Sequence, residues 1–143
     1  MRAVDTNILV YAHRKDVPQN PIAVEVLKSL IDSSSAWFIA WPSVYEFLRL
    51  VTHPKIFVDP TPRKTALKVI ESLVRDGGAH LIGHGAAHLE KLLELSEEVH
   101  ASGNLWFDVQ IAGVLEEHGI KEIVTNDGDF LRFKRFTVIN PFG

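Results

Sequence analysis

Short apolar segments alternate along this chain with longer segments in which apolar residues recur every three or four positions. The short segments predict buried β-strands, and the longer ones predict amphipathic helices. The predicted strands cover residues 1–5, 36–41, 79–82, 122–125 and 137–139. Short apolar strands separated by helices are typical of a mainly parallel sheet with helices on both faces, so we predict an α/β fold.

Helix signals fill the segments between these strands. Asn20-Pro21 and Thr61-Pro62 each place a capping side chain before a proline at the first helical position. The predicted helices cover residues 6–13, 21–33, 43–52, 62–76, 86–102 and 104–118. In such a fold, ligands gather at the carboxyl ends of the strands.

The composition indicates one compact domain spanning residues 1–143, of which 46% are apolar and 23% charged. The longest apolar run, residues 36–41, is far shorter than the ~20 residues that cross a bilayer. Asp5 and Asn7 interrupt the apolar stretch near the N-terminus, which argues against a signal peptide. Cysteine is absent, which excludes disulfides, zinc–thiolate sites and thiol nucleophiles. We expect a soluble, cytoplasmic protein.

The net charge of −3, from 15 basic and 18 acidic residues, gives no global sign of nucleic-acid binding. A cluster of acids around a cation would leave the rest of the chain close to neutral. A nucleic-acid partner therefore has to be inferred from a specific site.

Acidic side chains stand where two of the predicted strands end. Asp5 follows the first strand, and Asp127 and Asp129 follow the fourth. Asp5 is also a suitable N-cap for the helix at 6–13, and both interpretations stay open. The Asp-Gly pair after the fourth strand is typical of a hairpin turn. Such a turn needs only one of the two acids, and residues 129–131 continue like a capped helical turn.

Two further acids lie within predicted helices. Glu46 comes three residues after Ser43, a spacing that also fits a capping box, so a capping role and a site role both stay open. Asp108 interrupts the apolar stripe of its helix, where an unpaired carboxylate is destabilising or becomes protonated. No arginine or lysine lies between residues 101 and 115 to pair with it. Asp108 therefore predicts a cation nearby.

Four acids at one sheet edge need a counter-charge. Two carboxylates about 5 Å apart repel by roughly 3 kcal/mol at an effective dielectric constant of about 20. Oxygen ligands without cysteine or a helical histidine pair indicate Mg²⁺ or Mn²⁺. The alternative, a histidine metal site at His80, His84 and His88, requires a helix there. Two glycines within that segment oppose a helix.

Large aromatic residues are predicted to lie in the core rather than to stack on a ligand: Trp37, Phe38, Trp41 and Trp106. The helices at 21–33 and 43–52 carry more large apolar residues than five short strands need to cover. This surplus fits an interface between two copies of the chain as well as ordinary core.

Four short segments stand out by their order: Val4-Asp-Thr-Asn-Ile-Leu-Val-Tyr11, Pro42-Ser-Val-Tyr-Glu46-Phe-Leu, Gly103-Asn-Leu-Trp-Phe-Asp108-Val-Gln-Ile-Ala112 and Thr125-Asn-Asp127-Gly-Asp129-Phe130. In this order and spacing they resemble the PIN domain, and in particular VapC-type toxins of bacterial and archaeal toxin–antitoxin pairs. The resemblance covers nearly the whole chain. It implies a three-layer α/β/α sandwich and a Mg²⁺- or Mn²⁺-dependent endoribonuclease. It also implies an RNA substrate, a cognate antitoxin and a homodimer.

The resemblance assigns roles by position. The acidic quartet of the family is matched by Asp5, Glu46, Asp108 and Asp127. Asp129 matches a frequent fifth acid, and Asn7 and Thr125 match polar residues that support the site. Gly113 stands where the family more often has alanine, which puts no catalytic role in doubt.

The constellation contains no Ser-His, Cys-His or lysine nucleophile, so we expect water to attack. A cation held by Asp5, Asp108 and Asp127 would activate that water, and Glu46 would orient it or bind a second metal. By resemblance, the products carry a 5′ phosphate and a 3′ hydroxyl. Cationic side chains near the predicted strand ends are candidates for binding substrate phosphates: Arg14, Lys15, His53, Lys55, Arg132 and Lys134.

Two other classes of protein are alternatives to the nuclease. A receiver-type signalling domain needs an adjacent acidic pair early in the chain and an aspartate on the third strand. Asp5 has no acidic neighbour, and residues 79–83 contain no aspartate. A catalytically inactive PIN-like module that binds RNA or protein normally lacks one or more of the acids. All of them are present here, which favours the enzyme.

Overall fold

A five-stranded parallel sheet forms the centre of the computed structural model, which describes residues 1–143. Its strands are β1 (Arg2–Val4), β2 (Trp37–Ala40), β3 (Ala79–Ile82), β4 (Glu122–Val124) and β5 (Thr137–Ile139). They lie in the order β3-β2-β1-β4-β5, and every neighbouring pair is parallel. In the middle of the sheet, Ala3 pairs with Phe38 of β2 and with Ile123 of β4. The predicted parallel sheet is confirmed.

Six α-helices and one short 3₁₀ helix connect the strands. The α-helices are α1 (Thr6–His13), α2 (Asn20–Asp32), α3 (Trp41–Val51), α4 (Arg63–Arg75), α5 (His88–Val99) and α6 (Leu105–Glu117). The 3₁₀ helix, Gly128–Arg132, follows β4. Each predicted element is present, with its boundaries shifted by a few residues at most. None of the helices combines the length and the apolar character that a membrane-crossing segment requires.

The caps of three helices differ from those that the sequence suggests. At α4, Pro62 holds the cap position and no side chain caps the helix, so Thr61 is not its cap. α3 begins at Trp41, so Ser43 lies inside the first turn, and the capping box that its spacing to Glu46 left open does not form. The Ser43 hydroxyl is buried and has no hydrogen-bond partner. Asn20 is the first residue of α2 rather than its cap. Its side-chain amide instead donates to the carbonyl of Tyr11 over 2.8 Å, near the end of α1.

Alternating residues of each strand face opposite sides of the sheet. Ala3 and Ile123 belong to one apolar core, which α5 and α6 cover. Val4 and Val124 belong to a second core, which α1, α2, α3 and α4 cover. Two cores separated by one sheet make the three-layer α/β/α sandwich, so the fold implied by the resemblance is confirmed.

The strand order reverses beside β1. After β1 the chain adds β2 and β3 on one side, and it then returns to add β4 and β5 on the other. The carboxyl ends of β1 and β4 are therefore neighbours at a point where connections leave in opposite directions, which opens a crevice for a ligand. Asp5 and Thr125 stand at this point, where the amide of Asp5 donates to the carbonyl of Val124 over 3.0 Å.

The prediction that four aromatic residues lie in the core is correct in part. Trp37 is buried, and its indole N–H donates to the carbonyl of Gly77 over 2.9 Å. Phe38 is half-buried against the core beneath α5 and α6. Trp41 and Trp106 are 43% and 45% exposed, so their predicted place in the core is wrong. Trp41 begins α3 rather than ending β2, so its side chain follows a helix surface rather than the alternation of a strand. Trp106 lies in the first turn of α6, as predicted, but its side chain is on the exposed side of that helix.

Gly113 allows α5 and α6 to approach each other closely. A β-carbon at Gly113 would lie 3.0 Å from the ring of His88. That ring also forms a 3.0 Å hydrogen bond with Glu117 of α6. His80 lies on β3, so it does not share a helix with the later histidines.

Candidate active site

Asp5 lies at the end of β1 and the start of α1, with only 5% of its surface exposed. Its Oδ1 accepts a hydrogen bond from the amide of Thr6 over 2.8 Å, which caps the helix. Its Oδ2 accepts a hydrogen bond from the hydroxyl of Thr125 over 2.7 Å. Asp5 is thus a helix cap and also part of a polar network at the sheet edge, so the two interpretations of this residue are compatible.

Thr125 links the ends of β1 and β4 through its buried hydroxyl. Besides donating to Asp5, this hydroxyl accepts from the side-chain amide of Asn7 (3.1 Å) and from the backbone amide of Asp127 (2.9 Å). Asn7 in turn accepts from the amide of Asn126 over 3.2 Å. A hydroxyl offers one donor and two acceptor positions, and all three are used at Thr125. The network therefore holds the two strand ends in one arrangement.

Glu46 reaches the same region from α3. Its half-buried carboxylate accepts a hydrogen bond through Oε2 from the hydroxyl of Thr6 over 3.3 Å. Thr6 follows Asp5 directly and is itself buried. The start of α1 thus places the carboxylates of Glu46 and Asp5 close together, and Oε1 of Glu46 stays available to water or a cation.

Asp108 lies in the first turn of α6 and is half-buried. The charged groups that act on it are all acidic: Asp127, Asp5, Asp129 and Glu46. The apolar stripe of α6 is therefore interrupted by a carboxylate that no basic side chain neutralises.

Asp127 and Asp129 flank the start of the 3₁₀ helix. Asp127 caps this helix, since its Oδ1 accepts from the amide of Asp129 over 2.9 Å. Asp129 is exposed and forms an ion pair with Arg132 over 3.4 Å. Carboxylate oxygens of Asp108, Asp127 and Asp129 lie within 4.8 Å of one another. These three residues form a compact acidic group at the carboxyl edge of the sheet.

One cleft of about 170 Å³ brings the four predicted acids together. Its walls consist of Asp5, Thr6, Asn7, Val10, Tyr11, Glu46, Leu50, Asp108, Ile111 and Asp127. The acids come from the end of β1, from α3, from α6 and from the segment after β4. The apolar lining lowers the local dielectric constant, so charges within the cleft interact more strongly than on an open surface.

Burial and mutual repulsion raise the pKa of two of these acids. Burial raises the pKa of Asp5 to about 6, and the negative charges of Glu46 and Asp127 act in the same direction. The hydrogen bonds from Thr125 and Thr6 oppose this rise. Burial and the surrounding carboxylates, above all that of Asp127, raise the pKa of Asp108 to about 7. A cation in the cleft would lower both pKa values, because it favours the ionised form of each acid.

The donor atoms fit a hard divalent cation. The cleft offers carboxylate oxygens from several elements, with no sulfur and no imidazole nitrogen, and Mg²⁺ and Mn²⁺ prefer such ligands. The most compact set of carboxylates contains Asp129 together with Asp108 and Asp127. The metal set predicted from the sequence contains Asp5 in that place. Asp5 is deeper in the fold, where Thr6 and Thr125 already bond to its oxygens.

Arg14 does not take part in this site, which contradicts its prediction as a phosphate-binding residue. Its guanidinium is buried and donates to the carboxylate of Asp16 and to the carbonyl of Asp59, the latter over 2.7 Å. It also lies over the ring of Phe57, 4.1 Å from the centroid. Because its donors are occupied, Arg14 holds the loops after α1 and α3 together and is not free for a substrate.

The other five predicted phosphate-binding residues lie in different parts of the surface. Lys15 lies with Arg14 in a separate cleft that contains none of the four acids. His53 and Lys55 are in the loop after α3, where the ring of His53 accepts from the amide of Lys55 over 3.1 Å. Lys134 is exposed beyond the 3₁₀ helix. Among the six predicted phosphate-binding residues, Arg132 is the one that forms an ion pair with an acid of the site, Asp129.

Sequence reasoning missed Arg49. This exposed side chain stands one helical turn after Glu46 on α3, and both residues line a second cleft beside the acidic one. Residues three apart on a helix are neighbours on its surface. The spacing Glu46-x-x-Arg49 in the sequence therefore indicates that Arg49 lies on the same helix face as Glu46.

Comparison with known proteins supports the family that the sequence resembles. The PIN domain family matches residues 2–136 of this chain. Among curated proteins, the chain is 31% identical to Ribonuclease VapC25 of Mycobacterium tuberculosis over 144 residues, covering 99% of both chains.

Solved structures show the fold at lower sequence identity. The chain is similar to Mycobacterium tuberculosis VapC20, described as a sarcin-ricin loop cleaving toxin, with a TM-score of 0.67 and 15% identity. That similarity covers 92% of this chain and 93% of VapC20. A toxin–antitoxin complex from Klebsiella pneumoniae has a TM-score of 0.63 at 16% identity and covers 99% and 98%.

Proposed function

Since the chain belongs to the PIN domain family, we propose that it is a metal-dependent endoribonuclease and the toxin of a type II toxin–antitoxin pair. The observation that carries the proposal is the convergence of Asp5, Glu46, Asp108 and Asp127 on one cleft. The ribonuclease name of the relative at 31% identity supports RNA as the substrate. Hydrolysis of RNA in the cytoplasm is the resulting activity.

The acids of the cleft have the chemistry to hold Mg²⁺ or Mn²⁺. Asp108 and Asp127 would hold the ion together with Asp5 or Asp129. Such an ion, when bound, neutralises charge on the phosphate and lowers the pKa of a coordinated water. The lining of the acidic cleft contains no lysine, arginine or histidine, so a phosphate within it has to be neutralised by a bound cation.

The lining of the cleft leaves water as the nucleophile. It contains no serine, cysteine, lysine or histidine, and its two hydroxyls, those of Thr6 and Tyr11, have no histidine or lysine beside them in the lining to activate them for covalent attack. Glu46 has a free carboxylate oxygen, while its other oxygen is held by Thr6. It is therefore placed to orient a water and to accept its proton. Thr125 and Asn7 keep the ends of β1 and β4 together, which fixes the distance between Asp5 and Asp127.

Cleavage of single-stranded RNA by the purified chain tests the proposal. We expect cleavage in Mg²⁺ or Mn²⁺ but not in EDTA, and digestion of the products by an exonuclease that requires a 5′ phosphate. Separate titrations with the two ions distinguish which one supports the higher rate. Cleavage that continues in EDTA, or binding of RNA with no cleavage in either ion, would contradict the proposal, and the second result would indicate the inactive binding module.

An antitoxin would act on the same carboxylates. Because Asp5, Glu46, Asp108 and Asp127 have no basic partner within the chain, an arginine or lysine of an inhibitory protein would neutralise them in place of the metal. The Klebsiella pneumoniae structure, described as a toxin–antitoxin complex, supports an antitoxin as the partner. Inhibition should weaken as Mg²⁺ rises and when Asp5 is replaced by asparagine. An inhibitor whose affinity is insensitive to both changes acts elsewhere.

A homodimer is the proposed assembly of the toxin. Trp41 of α3 and Leu67 and Val74 of α4 are exposed apolar side chains that line one groove, and burying them against a second copy would be favourable. Size-exclusion chromatography with light scattering at tens of micromolar protein measures the mass directly. A strictly monomeric mass would contradict the dimer without affecting the nuclease proposal.

A further inference from the structure

A second cleft opens beside the acidic one and shares Glu46 with it. Its volume is about 450 Å³, and its lining consists of Pro42, Tyr45, Glu46, Arg49 and Phe107. The first four residues stand at positions i, i+3, i+4 and i+7 of α3, which is one face of that helix. Phe107 comes from the first turn of α6, next to Asp108. The cleft therefore continues from the acids along α3.

Two aromatic rings from different helices are exposed in this second cleft. Tyr45 is 68% exposed and Phe107 is 63% exposed. The centroid of the Tyr45 ring lies 6.2 Å from that of Trp41, and this neighbouring ring supports the orientation of Tyr45. Exposed aromatic rings in a cleft are suited to stacking on the bases of a single-stranded nucleic acid, because every base offers a flat π face.

Arg49 adds the charge that a nucleotide requires. It is exposed on the same face of α3 and has none of the ion pairs that engage other arginines of the chain, such as Arg75 with Glu71. A guanidinium presents paired N–H donors that match the oxygens of a phosphate. An aromatic surface and an unpaired guanidinium thus lie within one cleft.

We propose that this cleft binds the RNA nucleotide adjacent to the cleaved phosphate, with its base on Phe107 and Tyr45 and its phosphate on Arg49. The inference rests on the proposed nuclease function, since Glu46 joins the two clefts and so places the neighbouring nucleotide here. Recognition by stacking requires an unpaired base, so the site selects single-stranded RNA over a duplex. Phe107, Tyr45 and Arg49 determine affinity and take no part in the bond-breaking step.

An RNA strand fits this cleft better than a protein partner does. The lining pairs two rings with the opposite charges of Glu46 and Arg49. A separate groove between α3 and α4 is mostly apolar, with Leu67 and Val74 among its exposed side chains. The charged residues of that groove, Glu71 and Arg75, pair with each other. The second cleft differs because its Arg49 has no ion pair and because it shares Glu46 with the acidic cleft, so its charge and its position both suit a nucleotide next to the cleaved phosphate.

Binding of a fluorescent single-stranded RNA in EDTA tests the site without cleavage. Phe107→Leu should weaken binding by about tenfold, which is within the range measured for loss of one stacked base. Arg49→Gln should weaken it by about as much, because it removes a charge-assisted hydrogen bond to the phosphate. Trp106→Leu and Arg63→Gln are the matched controls, because both residues are exposed and line neither cleft. The controls should bind as the unmodified chain does.

Kinetics and a modified substrate give two further readouts. In Mg²⁺, Phe107→Leu should raise KM by about tenfold with kcat little changed, because stacking acts on binding. An RNA with an abasic nucleotide beside the cleaved bond should bind the unmodified chain about tenfold more weakly. The Phe107→Leu variant should bind the abasic RNA as tightly as it binds intact RNA, since the variant already lacks the aromatic ring on which the base would stack.

The outcomes separate this inference from the proposed function. Cleavage that is normal in both variants, with unchanged KM, overturns the nucleotide site and leaves the nuclease intact. RNA binding that depends on Phe107 and Arg49, without any cleavage, supports the site and contradicts the nuclease. An absence of RNA binding contradicts both. If the variants instead change the mass of the assembly while RNA affinity stays constant, the cleft is a protein interface and the inference is wrong.

Discussion

Thr125 donates the hydrogen of its buried hydroxyl to Asp5 over 2.7 Å, although 120 positions separate the two residues in the sequence. This contact joins the carboxyl ends of β1 and β4. Hydrogen bonds to an ionised carboxylate are among the stronger ones in proteins. The same hydroxyl accepts from Asn7 and Asp127, so one side chain sets the relative position of the two strand ends.

Replacing Thr125 by valine should destabilise the protein by about 1–3 kcal/mol, because the buried partners of its hydroxyl lose a hydrogen bond. Urea unfolding measures this loss. Activity should fall as well, since Asp5 and Asp127 lose their common support. Thr137→Val, at an exposed position on β5, is the matched control and should change stability by only a few tenths of a kcal/mol. Equal stability of the two variants would show that the hydroxyl has no such role.

Asp108→Asn should lower RNA cleavage by more than about a hundredfold, because loss of a direct ligand exceeds the 10- to 100-fold effects known for outer ligands. The metal-free variant should melt at a higher temperature than the unmodified chain, since one of several repelling carboxylates is gone. Thermal melting and RNA cleavage on the same samples measure both effects. Asp32→Asn, at an exposed acid that ends α2, should leave both unchanged. A variant that cleaves normally would remove Asp108 from the site.

In EDTA, Asp5 and Asp108 should make the protein less stable as the pH rises. Their pKa values are about 6 and about 7 in the folded state against an ordinary 3.8. The folded protein therefore binds protons that the unfolded chain has already released, so this contribution to stability falls between about pH 4 and pH 7. His13 acts in the opposite direction, because burial lowers its pKa.

The comparison with Asp108→Asn separates these effects. The melting temperature of the unmodified chain, relative to that of the variant, should decrease from pH 5 to pH 7.5. Millimolar Mg²⁺ should reduce the decrease, because the ion favours the ionised carboxylates. A difference between the two proteins that stays constant with pH would contradict the raised pKa of Asp108.

Metal binding should distinguish the two candidate ligand sets. If the compact group of Asp108, Asp127 and Asp129 holds the ion, Asp129→Asn should weaken Mn²⁺ binding by about tenfold or more and Asp5→Asn should have the smaller effect. Calorimetric titration with Mn²⁺ measures both affinities. The reverse order would support the set of Asp5, Asp108 and Asp127 that was predicted from the sequence.

Arg14→Met should destabilise the fold rather than weaken RNA binding. The variant leaves the carbonyl of Asp59 and the carboxylate of Asp16 without their donor. Loss of the hydrogen bond from the buried guanidinium to the Asp59 carbonyl should cost about 1.5–3 kcal/mol, because the donor is charged. Unfolding by urea measures the loss, and RNA affinity is measured on the folded fraction. Lys68→Gln, at an exposed position on α4, should change neither. Weaker RNA binding with normal stability would restore Arg14 as a substrate contact.

The local pattern of residues was sufficient to predict the elements of this fold. The apolar segment at 79–82 and the periodic segment at 6–13 match β3 and α1 in the structure. Both depend on the period of the hydrophobic positions, which is a property of neighbouring residues. The same local reasoning found the acids, because Asp5 follows a strand and Asp108 interrupts an apolar helix face.

The interatomic distances within the site were decided by tertiary structure alone. Asp129 lies close to Asp108, and Arg49 faces the cleft whereas Arg14 is buried in a loop contact. These relationships depend on the order of the strands and on the crossing of α3 and α6 over the sheet. Trp41 shows the same limit, since a shift of the helix start by two residues moved it from the predicted core to the surface. The local sequence determines the pattern of apolar and polar positions within each element, but long-range packing determines which side chains of different elements come into contact.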